Sequence, residues 1–297
     1  MSTTDDDTTA ADTGRLGITG ATGQLGGRVA ALLGERGLAE RLRLIVRSAA
    51  RAPRIEGAEV AEASFGDAAA CKEAFAGMDA LLLVSAGESA DRVAQHRTAV
   101  AAAAEAGVGH LVYTSFTGAS ADAEFTLARD HGATEDAIRE AAARSGMRVT
   151  LLRDDFYLDV LRPWAGEGLT LRGPARDGRC AFVAREDVAQ VAAAVLTGPA
   201  PADERVLELT GGEALSLEEV AARMGAALGR EVTYVDETME EARASRAPYG
   251  APDWEVAAWI STYTAIASGA LGEVSGDVRA VLGREPLRLE DVLAAEY

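Results

Sequence analysis

The sequence predicts an α/β protein built on a doubly wound parallel sheet, with a smaller, mostly helical C-terminal lobe. Three observations carry this expectation. Short apolar runs alternate with longer helical patterns from Arg15 to Arg153, a glycine-rich turn joins the first run to the first helix, and the rhythm changes beyond Arg153. Strands separated by helical crossovers pair in parallel, and right-handed crossovers place helices on both faces of such a sheet.

In order, the apolar spacing predicts a strand at residues 15–19, a helix at 24–35, a strand at 42–46 and a weaker strand at 59–63. A helix at 67–75, a buried strand at 80–84 and a helix at 89–106, ended by Gly107, follow. The pattern repeats with a strand at 110–114, a helix at 128–145 and a strand at 148–152. Residues 15–153 are therefore expected to form the main domain and 154–297 the smaller lobe. Residues 181–210 are expected to return to the main domain through a helix at 185–196 and a strand at 205–209. Within the lobe, 156–164 and 169–174 are less regular. Residues 216–228 predict a helix, since Ser216 with Glu219 three positions later is a capping-box pattern. Segments at 232–235, 239–243, 254–268 and 289–295 complete the lobe. A cleft between the two parts is the expected place for a substrate.

Composition excludes several functions. The 297 residues include 29 basic and 47 acidic side chains, a formal charge of −18. Such acidity opposes binding to nucleic acid or an anionic membrane, which draws on clustered Lys and Arg. The longest apolar run, residues 80–84, is far short of the roughly 20 residues that span a bilayer. Residues 1–14 lack a basic and apolar leader pattern and read as a disordered acidic tail, so a cytoplasmic location is expected. Cys71 and Cys180 make no disulfide framework, and His96, His110 and His131 stand apart, so no metal site is expected. The expected partner is a small-molecule substrate, with a homodimer the one assembly left open. Only Lys72 is a lysine, which removes most mechanisms built on a Schiff base, a phosphate-loop lysine or a lysine proton relay.

The strongest local signal is Gly17-Ile-Thr-Gly20-Ala-Thr-Gly23-Gln-Leu-Gly26, between the first strand and first helix. Glycine allows the tight turn and a close backbone approach, while free N–H groups and the helix dipole attract a pyrophosphate. It reads as the dinucleotide-binding turn of a Rossmann sheet, with Gly20, Thr22, Gly23, Gln24, Leu25 and Gly26 as candidate residues, the alternative being a tight structural turn. The glycines are spaced three and three, where the commonest fingerprint has two and three. The second signal is Arg47, ending the second strand where an acidic residue would read the ribose 2′-OH of NAD. No acidic residue lies between Leu42 and Arg54, and a guanidinium suits a 2′-phosphate, so NADP(H) is the expected cofactor. The alternative for Arg47, Arg51 and Arg54 is a solvated basic loop.

With these, Phe65-Gly-Asp67, Leu81-Leu-Leu-Val-Ser85, Gln95-His-Arg97, Val112-Tyr-Thr-Ser115, His131-Gly-Ala-Thr-Glu135, Leu151-Leu-Arg-Asp-Asp-Phe-Tyr157 and Leu209-Thr-Gly-Gly212 form a wider pattern that continues to Gly283-Arg-Glu-Pro-Leu-Arg-Leu-Glu290. It resembles the NmrA-like group of atypical short-chain dehydrogenases, and within it the type 2 quinone oxidoreductases, over nearly everything after the tail. The resemblance implies that Asp67 lies near the adenine and that Ser85, Ala86 and Gly87 line the cofactor ribose. It also puts Thr114 and Ser115 where short-chain dehydrogenases carry a serine near the reacting carbonyl, the alternative being a hydroxyl bonded within its own loop.

None of the six tyrosines has a lysine four residues later, so the Tyr-x-x-x-Lys proton relay is missing. His131 falls near the place of the relay lysine; it is read as a nicotinamide-ribose contact, a proton donor near neutral pH, or a structural histidine. His96 and Gln95 are read as helix-packing residues. Residues 153–157 follow the sixth strand, where the resemblance implies an Arg-Asn-Gly-aromatic loop over the nicotinamide. Here Asp154 and Asp155 replace the amide and the glycine, with Phe156 and Tyr157 after them. Two carboxylates at that mouth are expected to repel anionic acceptors.

These readings predict an NADPH-dependent reductase of a quinone or similar unsaturated carbonyl. The candidate catalytic residues are His131, Ser115 and Tyr157, and Asp154 and Phe156 are expected beside the cofactor. A quinone suits weak acid assistance because its product is a stabilised phenolate. The alternatives are a noncatalytic NADP(H)-binding sensor and a reductase of an enone or imine.

Overall fold

Leu-Gly-Ile-Thr, all four residues buried, forms β1 (Leu16–Thr19). The glycine turn leads from it into α1 (Gln24–Glu35), whose Leu25, Val29, Leu32 and Leu33 lie on one buried stripe. There follow β2 (Leu42–Val46), β3 (Glu59–Glu62), α2 (Ala68–Phe75), β4 (Ala80–Leu83), α3 (Arg92–Glu105), β5 (His110–Phe116), α4 (Thr126–Ser145) and β6 (Arg148–Asp154). Next come α5 (Leu161–Ala165), β7 (Thr170–Gly173), β8 (Arg179–Cys180), α6 (Arg185–Thr197) and β9 (Arg205–Leu209). The chain continues with β10 (Leu215–Ser216), α7 (Leu217–Leu228), β11 (Thr233–Asp236), α8 (Met239–Arg246), α9 (Asp253–Ala267), α10 (Asp277–Leu282) and α11 (Leu289–Ala295). The structure, a computed structural model, describes residues 14–295, so the expected acidic tail lies outside the described residues except for Gly14.

Seven strands form one parallel sheet in the order β3-β2-β1-β4-β5-β6-β9. Period-two alternation divides its side chains between two cores. Leu82 and Val112 pack with α1 and α6 on one face; Leu81, Leu83, Leu111 and Tyr113 pack with α2, α3 and α4 on the other. A third core holds the C-terminal helices together, with Leu217, Val220 and Met224 of α7 against Val292 and Leu293 of α11. The capping box expected at Ser216 and Glu219 is present.

The order reverses at β1, which has β2 on one side and β4 on the other. Ligands of open α/β sheets bind beyond the carboxyl ends of strands at such a point. The register sets Ser115 beside Arg153 and Phe116 beside Asp154, and Asp154 in turn beside Leu209. The ends of β5, β6 and β9 therefore face the same opening.

Three details differ from the sequence reading. The helix expected from residue 89 begins at Arg92, leaving 84–91 as a loop that serves the site. The helix α10 has only six residues, too few to show a period, and β8 and β10 have two residues each. No helix among the described residues is long and apolar enough to cross a membrane.

Candidate active site

At the first turn Gly20 has φ of +62°, and its carbonyl accepts the N–H of Gly23 at 2.8 Å. A Cβ on Gly26 would meet the Gly20 oxygen at 2.5 Å, so the helix packs against the turn only because Gly26 has no side chain. No side chain caps α1 and no acidic residue stands in its first turn. Its orphan N–H groups and dipole face outward beside exposed Thr22, Gly23 and Gln24, while Leu25 is buried beneath. The turn fits a pyrophosphate. Arg47 is exposed and makes no ion pair or hydrogen bond among the described residues. An acid from another strand reaches this loop: Glu62 of β3 accepts the Ala49 N–H. Asp67 caps α2 by accepting the Ala70 N–H at 3.0 Å.

The loop after β4 is held by side chains from three elements. Thr19 Oγ1 accepts the Val84 N–H at 2.9 Å, Thr114 Oγ1 accepts that of Ser85 at 2.8 Å, and His96 Nε2 accepts that of Ala86 at 2.9 Å. This assigns the His96 proton to Nδ1, 2.9 Å from Thr134 Oγ1. Burial, and then the nearby Arg92, push the His96 pKa down to about 3. Expected as a packing residue, His96 is fully buried and also orients the loop that holds Ser85, Ala86 and Gly87.

Arg92, itself buried, donates from Nε to the Ala86 carbonyl at 2.9 Å and from Nη2 to His131 Nε2 at 2.8 Å. An arginine only donates, so His131 carries its proton on Nδ1, which lies 2.9 Å from the Tyr113 hydroxyl. Burial, with Arg92 second, holds His131 well below its ordinary pKa. Both ring nitrogens are thus committed within the protein, and the proton expected of His131 near neutral pH is not held there. The ring remains in the wall of the cleft.

Ser115 donates to Glu135 Oε1 at 2.6 Å. Glu135 also accepts from Arg153 at 2.9 and 2.7 Å and from Arg139 at 2.9 Å. Burial opposes ionisation of Glu135, but the bonds from Arg153 and Ser115 outweigh it and lower its pKa. Glu135 lies one helical turn after His131, so the same face of α4 presents both, a spacing visible in the sequence but not singled out there.

Ser85, Ser115 and His131 border a cavity of about 670 Å³ at the strand ends. Phe116, Phe125, Phe156, Trp164, Trp259 and Tyr263 give it aromatic walls, with Phe156 4.9 Å from Phe116 and 5.8 Å from Trp164 between ring centres. Its two basic side chains, Arg172 and Arg246, both pair with Glu237.

The expectation of two charged carboxylates at this mouth is corrected by their burial. Asp154 and Asp155 are only 3% and 1% exposed. Burial raises the Asp154 pKa to about 8 against the lowering effect of the Tyr157 hydroxyl, which donates to Asp154 Oδ2 at 2.6 Å. Burial raises Asp155 to about 7, although its Oδ1 accepts from the Phe156 N–H at 2.7 Å and from Cys180 at 3.2 Å. Asp154 Oδ1 and Asp155 Oδ2 have no hydrogen-bond partner among the described residues. Tyr157 is half-buried, and the Arg185 guanidinium lies over its ring at 5.1 Å. Lys72 is remote from the cleft on α2, paired with Glu105.

Residues 12–249 match the NmrA-like family. The chain is 36% identical to quinone oxidoreductase 2 of Escherichia coli (strain K12) over 243 residues, 80% of this chain and 83% of that protein. The structure of the E. coli NADPH-dependent quinone oxidoreductase complexed with NADPH superposes with a TM-score of 0.85 at 33% identity, covering 95% of this chain and all of the other. The triphenylmethane reductase of Citrobacter sp. complexed with NADP(H) superposes with a TM-score of 0.83 at 28% identity, covering 95% and 100%. The homologues are NAD(P)H-dependent oxidoreductases. From the glycine turn, the seven-stranded order and these matches together, the chain belongs to the NmrA-like family.

Proposed function

We propose that the protein is an NADPH-dependent reductase that holds the nicotinamide against a flat conjugated acceptor, a quinone being the substrate type. The observation that carries this reading is the aromatic cavity of about 670 Å³ at the ends of β4, β5 and β6, on the strand-end side of the sheet order that reverses at β1. A reductase needs that space above the nicotinamide face, and a sensor does not. The names of the two similar proteins, a quinone oxidoreductase and a triphenylmethane reductase, support a planar aromatic acceptor.

In this reading the Gly20–Gly26 turn takes the pyrophosphate and Arg47 the 2′-phosphate, with Asp67 toward the adenine. Ser85, Ala86, Gly87 and Thr114 border the ribose, and Phe156 borders the nicotinamide. The nicotinamide supplies the hydride, and the protein supplies orientation and exclusion of water. Ser115 and Tyr157 stand in the cavity wall as hydroxyls beside the acceptor, and His131 holds the wall in place.

The test is NADPH oxidation with a panel of quinones, enones and imines, alongside binding of NADPH, NADP+, NADH and NAD+. Turnover of a quinone with preference for the phosphorylated cofactor is the expected result. Tight cofactor binding with no turnover on any acceptor would contradict it.

A further inference from the structure

We propose that Asp154 is the catalytic acid of this cleft, delivering the proton on its Oδ1 to the acceptor as the hydride arrives. The inference rests on the reductase reading and names the proton source which that reading leaves open. A buried polar atom without a partner costs about 1–3 kcal/mol, so its persistence in a cleft wall calls for a ligand atom to complete it. Asp154 Oδ1 is such an atom, on a side chain 3% exposed, at the strand end that faces the cavity. The other oxygen, Oδ2, is fixed by the Tyr157 hydroxyl at 2.6 Å, which leaves Oδ1 as the position for the acidic proton. Tyr157 is on this account a positioning residue.

Three rival donors are committed elsewhere, and the fourth, Asp155, whose Oδ2 is likewise unpartnered, is told apart by the Asp154→Asn variant. His131 is neutral, with its one N–H directed at Tyr113, and the Ser115 proton goes to Glu135. Tyr157 gives its proton to Asp154, and burial holds that phenol well above its ordinary pKa. Asp154 with a pKa near 8 remains protonated at neutral pH and is still acidic enough to transfer, which is the condition for an effective general acid.

The balance for a 1,4-quinone is complete. One quinone oxygen gains the hydride, with its two electrons, from the C4–H bond of the reduced nicotinamide, and an O–H bond forms. The other quinone oxygen gains the proton as the Asp154 O–H bond breaks. The products are the hydroquinone, the oxidised nicotinamide and the Asp154 carboxylate, which takes a proton from water before the next turnover.

The charged and titratable groups around Asp154 are Asp155, Tyr157 and Asp159 on its own segment and Glu208 on β9, which is paired with Arg153. From the other elements come Cys180 of β8, Arg185 of α6 and His131 with Glu135 of α4. Across the cavity stand Glu88 and the pair Arg172 and Arg246, both engaged by Glu237. The ionisations closest to Asp154 are those of Asp155 and Tyr157, and only the first is expected between pH 6 and pH 9.

The experiment compares the full-length protein with Asp154→Asn and Tyr157→Phe. In cofactor-free samples, the infrared carbonyl band of a protonated buried carboxyl is followed against pH. The expected result is a band at pH 6 with two components, one lost with a midpoint near 7 from Asp155 and one lost near 8, of which only the second is absent in Asp154→Asn. In Tyr157→Phe the second midpoint moves up, because the lost hydrogen bond had favoured the carboxylate. With NADPH and 1,4-naphthoquinone, Asp154→Asn is expected to lower kcat by at least about tenfold and to lose the alkaline fall in kcat, with NADPH affinity retained. A folded Asp154→Asn protein with the parent's kcat and alkaline fall, or no Asp154-dependent infrared band, would overturn the proposal. If the parent binds NADPH but oxidises none with the quinone, the reductase reading fails and the proposal with it. That outcome is told apart by the parent's own inactivity.

Discussion

Arg92 Nη2 lies 2.8 Å from His131 Nε2, and both side chains are buried between α3, α4 and the sheet. This one contact fixes the His131 tautomer, because the guanidinium occupies the nitrogen that would otherwise reach a ligand with its proton. It also ties α4 to the loop after β4, since the same guanidinium holds the Ala86 carbonyl.

Neither His96 nor His131 should titrate near 6.5, the usual value for histidine. Nitrogen-15 NMR between pH 5 and pH 8 is expected to show both rings neutral with the proton on Nδ1, as burial and Arg92 depress their pKa values. A midpoint near 6.5 for either ring would contradict the network.

Arg47→Ala should weaken NADPH binding by about ten- to a hundredfold while changing NADH binding little, the scale of losing a hydrogen bond to a charged group. Calorimetric titration of both cofactors checks this. An equal loss for both would place the 2′-phosphate contact elsewhere.

Gly26→Ala and Gly23→Ala should differ in kind. The Gly26 Cβ would meet the Thr19 and Gly20 carbonyl oxygens at 2.7 and 2.5 Å, so about 1–3 kcal/mol of stability should be lost. The Gly23 Cβ would stand 3.2 Å from the Gly20 oxygen alone, a smaller displacement, so that protein should lose less stability than Gly26→Ala and lose cofactor affinity. Denaturant unfolding and a binding titration separate the two, and similar stability losses in both variants would refute the assignment.

Asp154 and Asp155 should make the fold less stable as pH rises. Their folded pKa values, about 8 and about 7, exceed the unfolded value near 4, so the folded state binds more protons in between. The stabilisation they bring is complete below about pH 4 and declines as pH rises to about 8. Asp154→Asn should therefore gain about 4 kcal/mol over the parent at pH 9 relative to pH 5. Urea unfolding at the two pH values measures it, and an unchanged difference would mean that Asp154 is ionised at neutral pH.

Local physics made much of the architecture legible. The helix at 24–35 has the bounds expected because glycines stop it from starting earlier and its apolar stripe is regular. The strands at 42–46 and 80–83 are short, buried and β-branched or leucine-rich, which leaves few other readings. The helix α3 starts later than the spacing predicts because nothing near Ser89 shows that Val84, Ser85 and Ala86 are held in a loop by Thr19, Thr114 and His96. Those partners are 10 to 65 residues distant, and spacing arguments do not reach that far.

The same limit explains the site. The tight turn at Gly20, Gly23 and Gly26 was readable because glycine carries that conformation in its own backbone. The commitment of His131 to Arg92 and of Ser115 to Glu135 depends on contacts across helices, as does the burial that raises Asp154. The residues themselves marked the place where chemistry is expected; their protonation is a property of the packed cleft.

The central claim is that this cleft brings a reduced nicotinamide and a conjugated acceptor together. Anaerobic stopped-flow mixing of the NADPH-loaded protein with 1,4-naphthoquinone tests it most directly. Loss of the NADPH and quinone absorbances together, one for one, is the predicted result, whereas bound NADPH left unoxidised by the quinone would contradict it.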